Sequence, residues 1–252
     1  MQRLSPRELL DVWERGSTQR PHERAHTILA AALPDQPEAA LDDLSVGRRD
    51  SLLLDVRELT FGPTLDAVVA CGRCGERLER RFGPDEVRAQ TPADGPATAE
   101  VVAGGWCVRI RPPSARDLAA AADAGGAAEA RAVLLERCVV EAIEGELPRP
   151  VADLPAKVLE AIEARMAELD PQADVRLAMS CPACGERWDE ALDIAAFLWS
   201  EIDAWAPRAL RDVHVLASAY GWSEADILAL GPRRLAAYLE MAKPTVGPWA
   251  TS

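Results

Sequence analysis

The chain has 252 residues at 27.2 kDa, and its 48% hydrophobic content is enough to bury the core of one large or two small domains. A formal charge of −13, from 41 acids against 28 bases, repels nucleic acid and anionic membrane, and three His with two Tyr leave few general acids or bases beyond carboxylates. Apolar runs are too short for a membrane span of about 20 residues, and Arg3, Arg7, Glu8 and Asp11 break any signal-peptide pattern, so the sequence predicts a soluble, cytoplasmic, non-enzymatic protein.

The N-terminal stretch predicts helices. Ser5-Pro6-Arg7-Glu8 is a capping box with Pro at the first helical position, leading into Leu9, Leu10 and Trp13 and stopped at Gly16. Pro21 opens a second helix with Ala25, Ile28, Leu29 and Ala32 on one face, and Asp35 to Ala40 reads as linker. Ser45 starts a third, in which Leu52, Leu53, Val56 and Leu59 recur until Phe61-Gly62-Pro63 ends it. From Thr64 the period changes to two. One strand runs into Cys71 and another, with Leu78, Arg80 and Phe82, leaves Cys74, which places the first Cys pair at a hairpin tip. Asp94-Gly95-Pro96 predicts a turn, and Glu100 to Ala103, Gly104-Gly105 and Trp106 to Arg111 a second hairpin with Trp106, Val108 and Ile110 on one face.

Ser114 and Asp117 cap a further helix that Gly125-Gly126 breaks. The next helix is predicted to align Leu135, Cys138, Val139, Ala142 and Ile143, and another, after Pro155, carries Val158, Ile162, Met166 and Leu169 up to Asp170-Pro171. Val175, Leu177 and Met179 alternate into Cys181, and Trp188 lies on the outgoing strand, so the second Cys pair also tips a hairpin. Helices return with Ile194, Phe197, Leu198 and Ile202, then Leu210, Val213, Ala217 and Tyr220 up to Gly221. Ser223 and Asp226 cap a short one, and Pro232 opens the last, with Leu235 and Leu239 expected to be buried. Pro244, Gly247 and Pro248 make the remainder a disordered or docked tail.

Two motifs carry chemistry. Cys71-Gly-Arg-Cys74-Gly75-Glu76-Arg77 and Cys181-Pro-Ala-Cys184-Gly185-Glu186-Arg187 share the string Cys-Gly-Glu-Arg. Two thiolates three residues apart on a tight turn can hold one face of a tetrahedral ion, and the following Gly permits the left-handed backbone that aims amides at sulfur. Two such knuckles complete a four-cysteine site, so Cys71, Cys74, Cys181 and Cys184 are expected to bind one structural Zn2+, with Arg77 and Arg187 offsetting its net negative charge. More than a hundred residues separate Cys74 from Cys181, against a usual ribbon spacing of roughly fifteen to twenty. A folded insert removes that objection. Reduced, metal-free knuckles and a thiol oxidoreductase are the rival readings, but a redox Cys-x-x-Cys belongs at the start of a helix, and here strands flank both pairs.

Other candidates have plainer readings. His22 and His26 are four apart on a helix with no carboxylate or Cys placed to complete a site, and Cys107 and Cys138 look like small buried hydrophobes. No nucleophile elbow, P-loop or dinucleotide fingerprint occurs. Seven Trp with a nearly Lys-free set of basic residues suit a protein-protein surface.

Several motifs in order carry a resemblance. Arg57-x-x-x-Phe61-Gly62-x-x-Leu65 runs into the first knuckle, then come Arg111-Pro112-Pro113-x-x-x-Asp117-Leu118 and the second knuckle. The ending is Val213-His214-x-Leu216-Ala217-x-x-Tyr220-Gly221-Trp222-Ser223-Glu224-x-Asp226-Ile227-Leu228, followed by Arg233-Arg234-x-x-x-Tyr238-Leu239. Across residues 45 to 242 this order resembles the baseplate proteins of contractile phage tails and related contractile injection systems. The resemblance implies a non-enzymatic structural or assembly component of a phage-tail-like particle, with other baseplate, hub or tail subunits as partners and no nucleic acid, membrane insertion or small-molecule substrate. A zinc-ribbon adaptor or chaperone not retained in the particle is the alternative. The fold expected is α+β, mainly helical, with a small zinc-ribbon-like β module. Its segments are helical 1–62, first-knuckle hairpins 63–113, a helical insert 114–172, the second-knuckle hairpin 173–193, and a helical C-terminal module 194–252.

Overall fold

A computed structural model describes residues 1–89 and 97–243. The turn expected at Asp94-Gly95-Pro96 and the tail after Lys243 lie outside the described residues. Helices α1 (Pro6–Ser17), α2 (Pro21–Ala32), α3 (Glu38–Asp42) and α4 (Val46–Phe61) come first, and the strands β1 (Leu65–Ala70) and β2 (Arg77–Phe82) form the first hairpin. The Ser5 hydroxyl accepts the Glu8 amide while Glu8 accepts the Ser5 amide, and Ser45 caps α4 by accepting from Arg48. Two expectations fail here. α1 runs one residue past Gly16, which lacks the left-handed φ of a stop glycine, and the Trp199 ring packs where its side chain would stand, so this glycine serves a close approach. The segment read as linker contributes α3, whose Leu41 is buried.

After the short α5 (Pro84–Val87), the chain forms β3 (Ala99–Ala103) and β4 (Trp106–Ile110), joined at Gly104-Gly105, both with positive φ, as a two-residue hairpin requires. Trp106, Val108 and Ile110 are buried on one face. Helices α6 (Ala115–Ala122) and α7 (Ala127–Cys138) follow, and then the insert departs from the expected all-helical pattern. Val139–Glu144 is β5, pairing antiparallel with β4 and followed by the two-residue β6 (Leu147–Pro148). The sequence Val-Val-Glu-Ala-Ile-Glu suits a strand as well as a helix, and the open edge of β4 decides between them by offering a ladder. The sheet β3-β4-β5-β6 packs against α8 (Ala156–Leu169), with Val101, Val108, Ile110, Ala142, Val158 and Ile162 in a core of its own.

The strands β7 (Arg176–Ser180) and β8 (Arg187–Ala191) form the second knuckle hairpin and lead into α9 (Ile194–Tyr220). The larger core joins α1, α2, α4, both knuckle hairpins and the first part of α9, through residues such as Ile28, Leu53, Phe82, Leu177, Leu198 and Ile202. α9 is one helix of 27 residues despite Pro207 in its interior. Gly221, in the left-handed region, ends it, and α10 (Glu224–Leu228) and α11 (Pro232–Ala242) fold back on it. α11 contributes no buried residue, so Leu235 and Leu239 are only half-buried. The helix rests chiefly on α9 and so has one wall to pack against.

Both ends of the insert return to one place. The Val46 amide donates to the Pro113 carbonyl at 2.9 Å, and the Gly47 amide to Asp170 Oδ2 at 2.8 Å, so the first turn of α4 holds the chain where it enters the insert and where it leaves. Gln172 adds a second latch: its Oε1 accepts from the Ala89 amide at 2.7 Å and its Nε2 donates to the Val87 carbonyl at 3.1 Å. The segment that follows the first hairpin is thus tied to the one that precedes the second.

Candidate metal centre

Each knuckle is built the same way. The Cys71 amide donates to the Glu76 carbonyl at 2.8 Å and the Gly75 amide to the Cys71 carbonyl at 2.9 Å, and the equivalent bonds Cys181 to Glu186 and Gly185 to Cys181 have the same lengths. Gly75 and Gly185 have φ of 76° and 73°, the left-handed conformation that the repeated Cys-Gly implied. The two loops are structural copies as well as sequence copies.

The structure brings the four cysteines together. Their sulfurs all lie within 4.8 Å of one another, with Cys71 Sγ 3.7 Å from Cys184 Sγ and Cys74 Sγ 3.6 Å from Cys181 Sγ. A disulfide needs about 2.05 Å, so these are separate thiols. A tetrahedron with metal–sulfur bonds of about 2.3 Å has edges of about 3.8 Å, close to the separations of 3.7 and 3.6 Å. Cys71 and Cys181 are buried, Cys184 half-buried and Cys74 exposed. The Cys74 amide, helped by that of Arg73, lowers the Cys71 thiol to about 7. The Glu76 amide acts in the same direction on Cys74, but the neighbouring thiols, Cys184 first, and burial outweigh it and push Cys74 up to about 12. Four sulfurs so close share their protons, and the first thiolate formed is stabilised at its neighbours' expense.

Arg77 and Arg187 open the outgoing strands and are exposed, whereas Arg73 bridges the two knuckles through an ion pair with Glu186 at 3.2 Å. Neither Cys-x-x-Cys begins a helix, since each joins two antiparallel strands. Among the described residues, no other group of three or more His, Cys, Asp or Glu is close enough to share a metal ion. His26 pairs instead with Asp42 at 2.8 Å, a carboxylate from α3 that the sequence alone does not place there. Cys138 is buried, and burial pushes its thiol up to about 11, while Cys107 is half-buried.

The other motif residues hold the frame. Arg57, 3% exposed, clasps Glu201 of α9 with two hydrogen bonds of 2.9 and 2.7 Å and donates to the Gly62 carbonyl, fixing the end of α4 just before the first hairpin. Arg111 grips the buried Asp117 bidentately, and Arg137 adds a third cationic bond. Residues 8–199 match the family described as T4 bacteriophage base plate protein. The chain belongs to that family. No curated protein and no solved structure matches it. The family match begins well before residue 45, where the motif resemblance begins, and takes in α1 and α2. It stops before the Val213 to Leu239 ending, so α10 and α11 lie outside it. No helix among the described residues is long and apolar enough to cross a membrane.

Proposed function

We propose that this baseplate-family protein is a non-enzymatic structural or assembly subunit of a contractile, phage-tail-like particle, and that Cys71, Cys74, Cys181 and Cys184 hold one structural Zn2+. The observation that carries the metal reading is the closeness of four sulfurs, all within 4.8 Å of one another, from two duplicated loops. Four thiolates would leave the ion no open position for water or substrate, so its contribution is to shape. It would clip two hairpins that are distant in sequence, and closing so long a loop restricts the unfolded chain more than a short clip would. Family membership supports partners among other baseplate subunits.

Elemental analysis of the purified protein tests the metal. One zinc per chain is expected, lost in Cys71→Ser or Cys181→Ser together with thermal stability. A metal-free protein whose melting is indifferent to chelator would refute the site. Retention is tested separately by probing purified, intact particles for the full-length chain. Its presence there supports a structural subunit, and its absence leaves the assembly adaptor.

A further inference from the structure

Among the described residues the two knuckle hairpins are each two-stranded, so β1 pairs there with β2 alone and β8 with β7 alone, leaving one edge of each without a ladder partner. Residues 66–69 of β1 and 190–192 on and just after β8 line one groove of about 400 Å3, with the buried side chains of Phe82, Leu177 and Met179 behind it. A second hollow of about 470 Å3 shares Glu190 and carries the groove on past Ala70 to the knuckle loops. Val68 stands 55% exposed at its wall.

Unpaired edges are a liability that proteins usually blunt with Lys or Pro. β1 reads Leu-Asp-Ala-Val-Val-Ala and has neither. The side chains lining the first groove include the acids Asp66, Glu190 and Asp193 and no Lys or Arg, and the one Arg of the second hollow, Arg73, is paired with Glu186. Asp66 is neutralised by Arg81 from outside the groove, but among the described residues Glu190 and Asp193 are in no ion pair. Glu190 accepts from the Trp188 indole and Asp193 caps α9, so both carboxyl groups are held in place beside this space.

We propose that this groove receives an extended strand from a neighbouring baseplate subunit, one that alternates apolar with basic residues and adds to the open edge of β1. Backbone bonds to β1 supply the register. Apolar side chains at every second position reach toward Phe82, Leu177 and Met179, and the basic ones meet Glu190 and Asp193. The identity of the source as a baseplate subunit rests on the family reading, whereas the strand and its chemistry rest on the groove alone.

Fluorescence anisotropy on the full-length protein tests this with a labelled octapeptide of alternating valine and lysine. Saturable binding is expected, weakened about tenfold or more by Glu190→Lys. Val68→Lys, a change on an exposed position that leaves every core contact in place, should weaken it comparably by blocking the edge. The same peptide N-methylated at every second residue cannot form the ladder and should also bind about tenfold less tightly. Equal binding of the N-methylated peptide, or of an alternating glycine-lysine peptide, would reduce the effect to charge and overturn the proposal, as would no binding. A dimer of the protein abolished by Val68→Lys would identify the occupant as a second copy and overturn it too. These readings use the isolated chain, so their failure leaves the baseplate assignment standing, and absence from particles leaves the groove result standing.

Discussion

Asp117 is fully buried, and its carboxylate accepts from Arg111, Arg137, and the amide and hydroxyl of Ser114. Burial raises its pKa, but the Arg111 contact leads the bonds that more than reverse this and hold it well below the usual carboxylate range. A depressed carboxyl stabilises the fold fully above its unfolded value of about 3.9, and this contribution is lost as pH falls below that. Asp117→Asn should therefore cost about 2–4 kcal/mol at neutral pH, somewhat less than a fully buried pair because both arginines reach solvent. In denaturant melts between pH 7 and 2, the variant should also lose less stability on acidification than the parent. Gly16 offers a contest of magnitudes. Alanine gains about 1 kcal/mol in helix propensity, but its Cβ would lie 2.3 Å from Trp199 Cζ3, a ring that Arg24 covers on its face. Overpacking against a ring costs about 1–3 kcal/mol, so Gly16→Ala is expected to lower the melting temperature despite the better helix former.

At the scale of elements, the insert explains how knuckles more than a hundred residues apart meet. Its two ends are held at the α4 N-terminus by Pro113 and Asp170, and Gln172 ties the flanking segments. Asp170→Ala would orphan the buried Gly47 amide and cost about 1–3 kcal/mol. It should also weaken metal binding by chelator competition, because the second hairpin would be less well delivered to the first. Unchanged metal affinity with reduced stability would mean the cysteines find each other without this latch. The sequence signalled none of it: Asp170 reads as a helix terminator and Gly47 as an ordinary helical residue, since the bond joins positions 123 apart. β5 was illegible for a related reason, its alternation being compatible with either period until β4 supplies an edge.

For the whole molecule, both hydrophobic clusters are built from residues up to Ile202, whereas Ala206, Leu216 and Ile227 belong to the C-terminal helices and to neither cluster. Trp222 stacks on Tyr220 and meets Tyr238 edge-on, each at 4.8 Å, so its ring serves the junction of α9 with α11. Deleting residues 207–252 is thus expected to leave a folded remainder with its four cysteines still clustered, since the Trp13 indole bond to Asp203 and the Arg57 clasp on Glu201 survive the cut. If the C-terminal helices attach the protein to its neighbours, that remainder will no longer co-purify with particles. Aggregation of the truncated protein would show that these helices are part of the core instead.

What the chain determines locally could be read from residue order alone. The knuckle loops, their glycines, the caps at Ser5, Ser45 and Ser114, and the Gly104-Gly105 turn all depend on neighbours a few positions away, and the order of motifs was enough to indicate the baseplate family. Tertiary structure decided the rest: which distant contacts deliver the second knuckle to the first, that Gly16 receives Trp199, that Val139–Glu144 is a strand, and that α11 stays half-exposed. Each of these turns on a contact between residues far apart in sequence, or on the lack of a second packing surface, and hydrophobic periodicity carries no information about which distant surface a segment will meet.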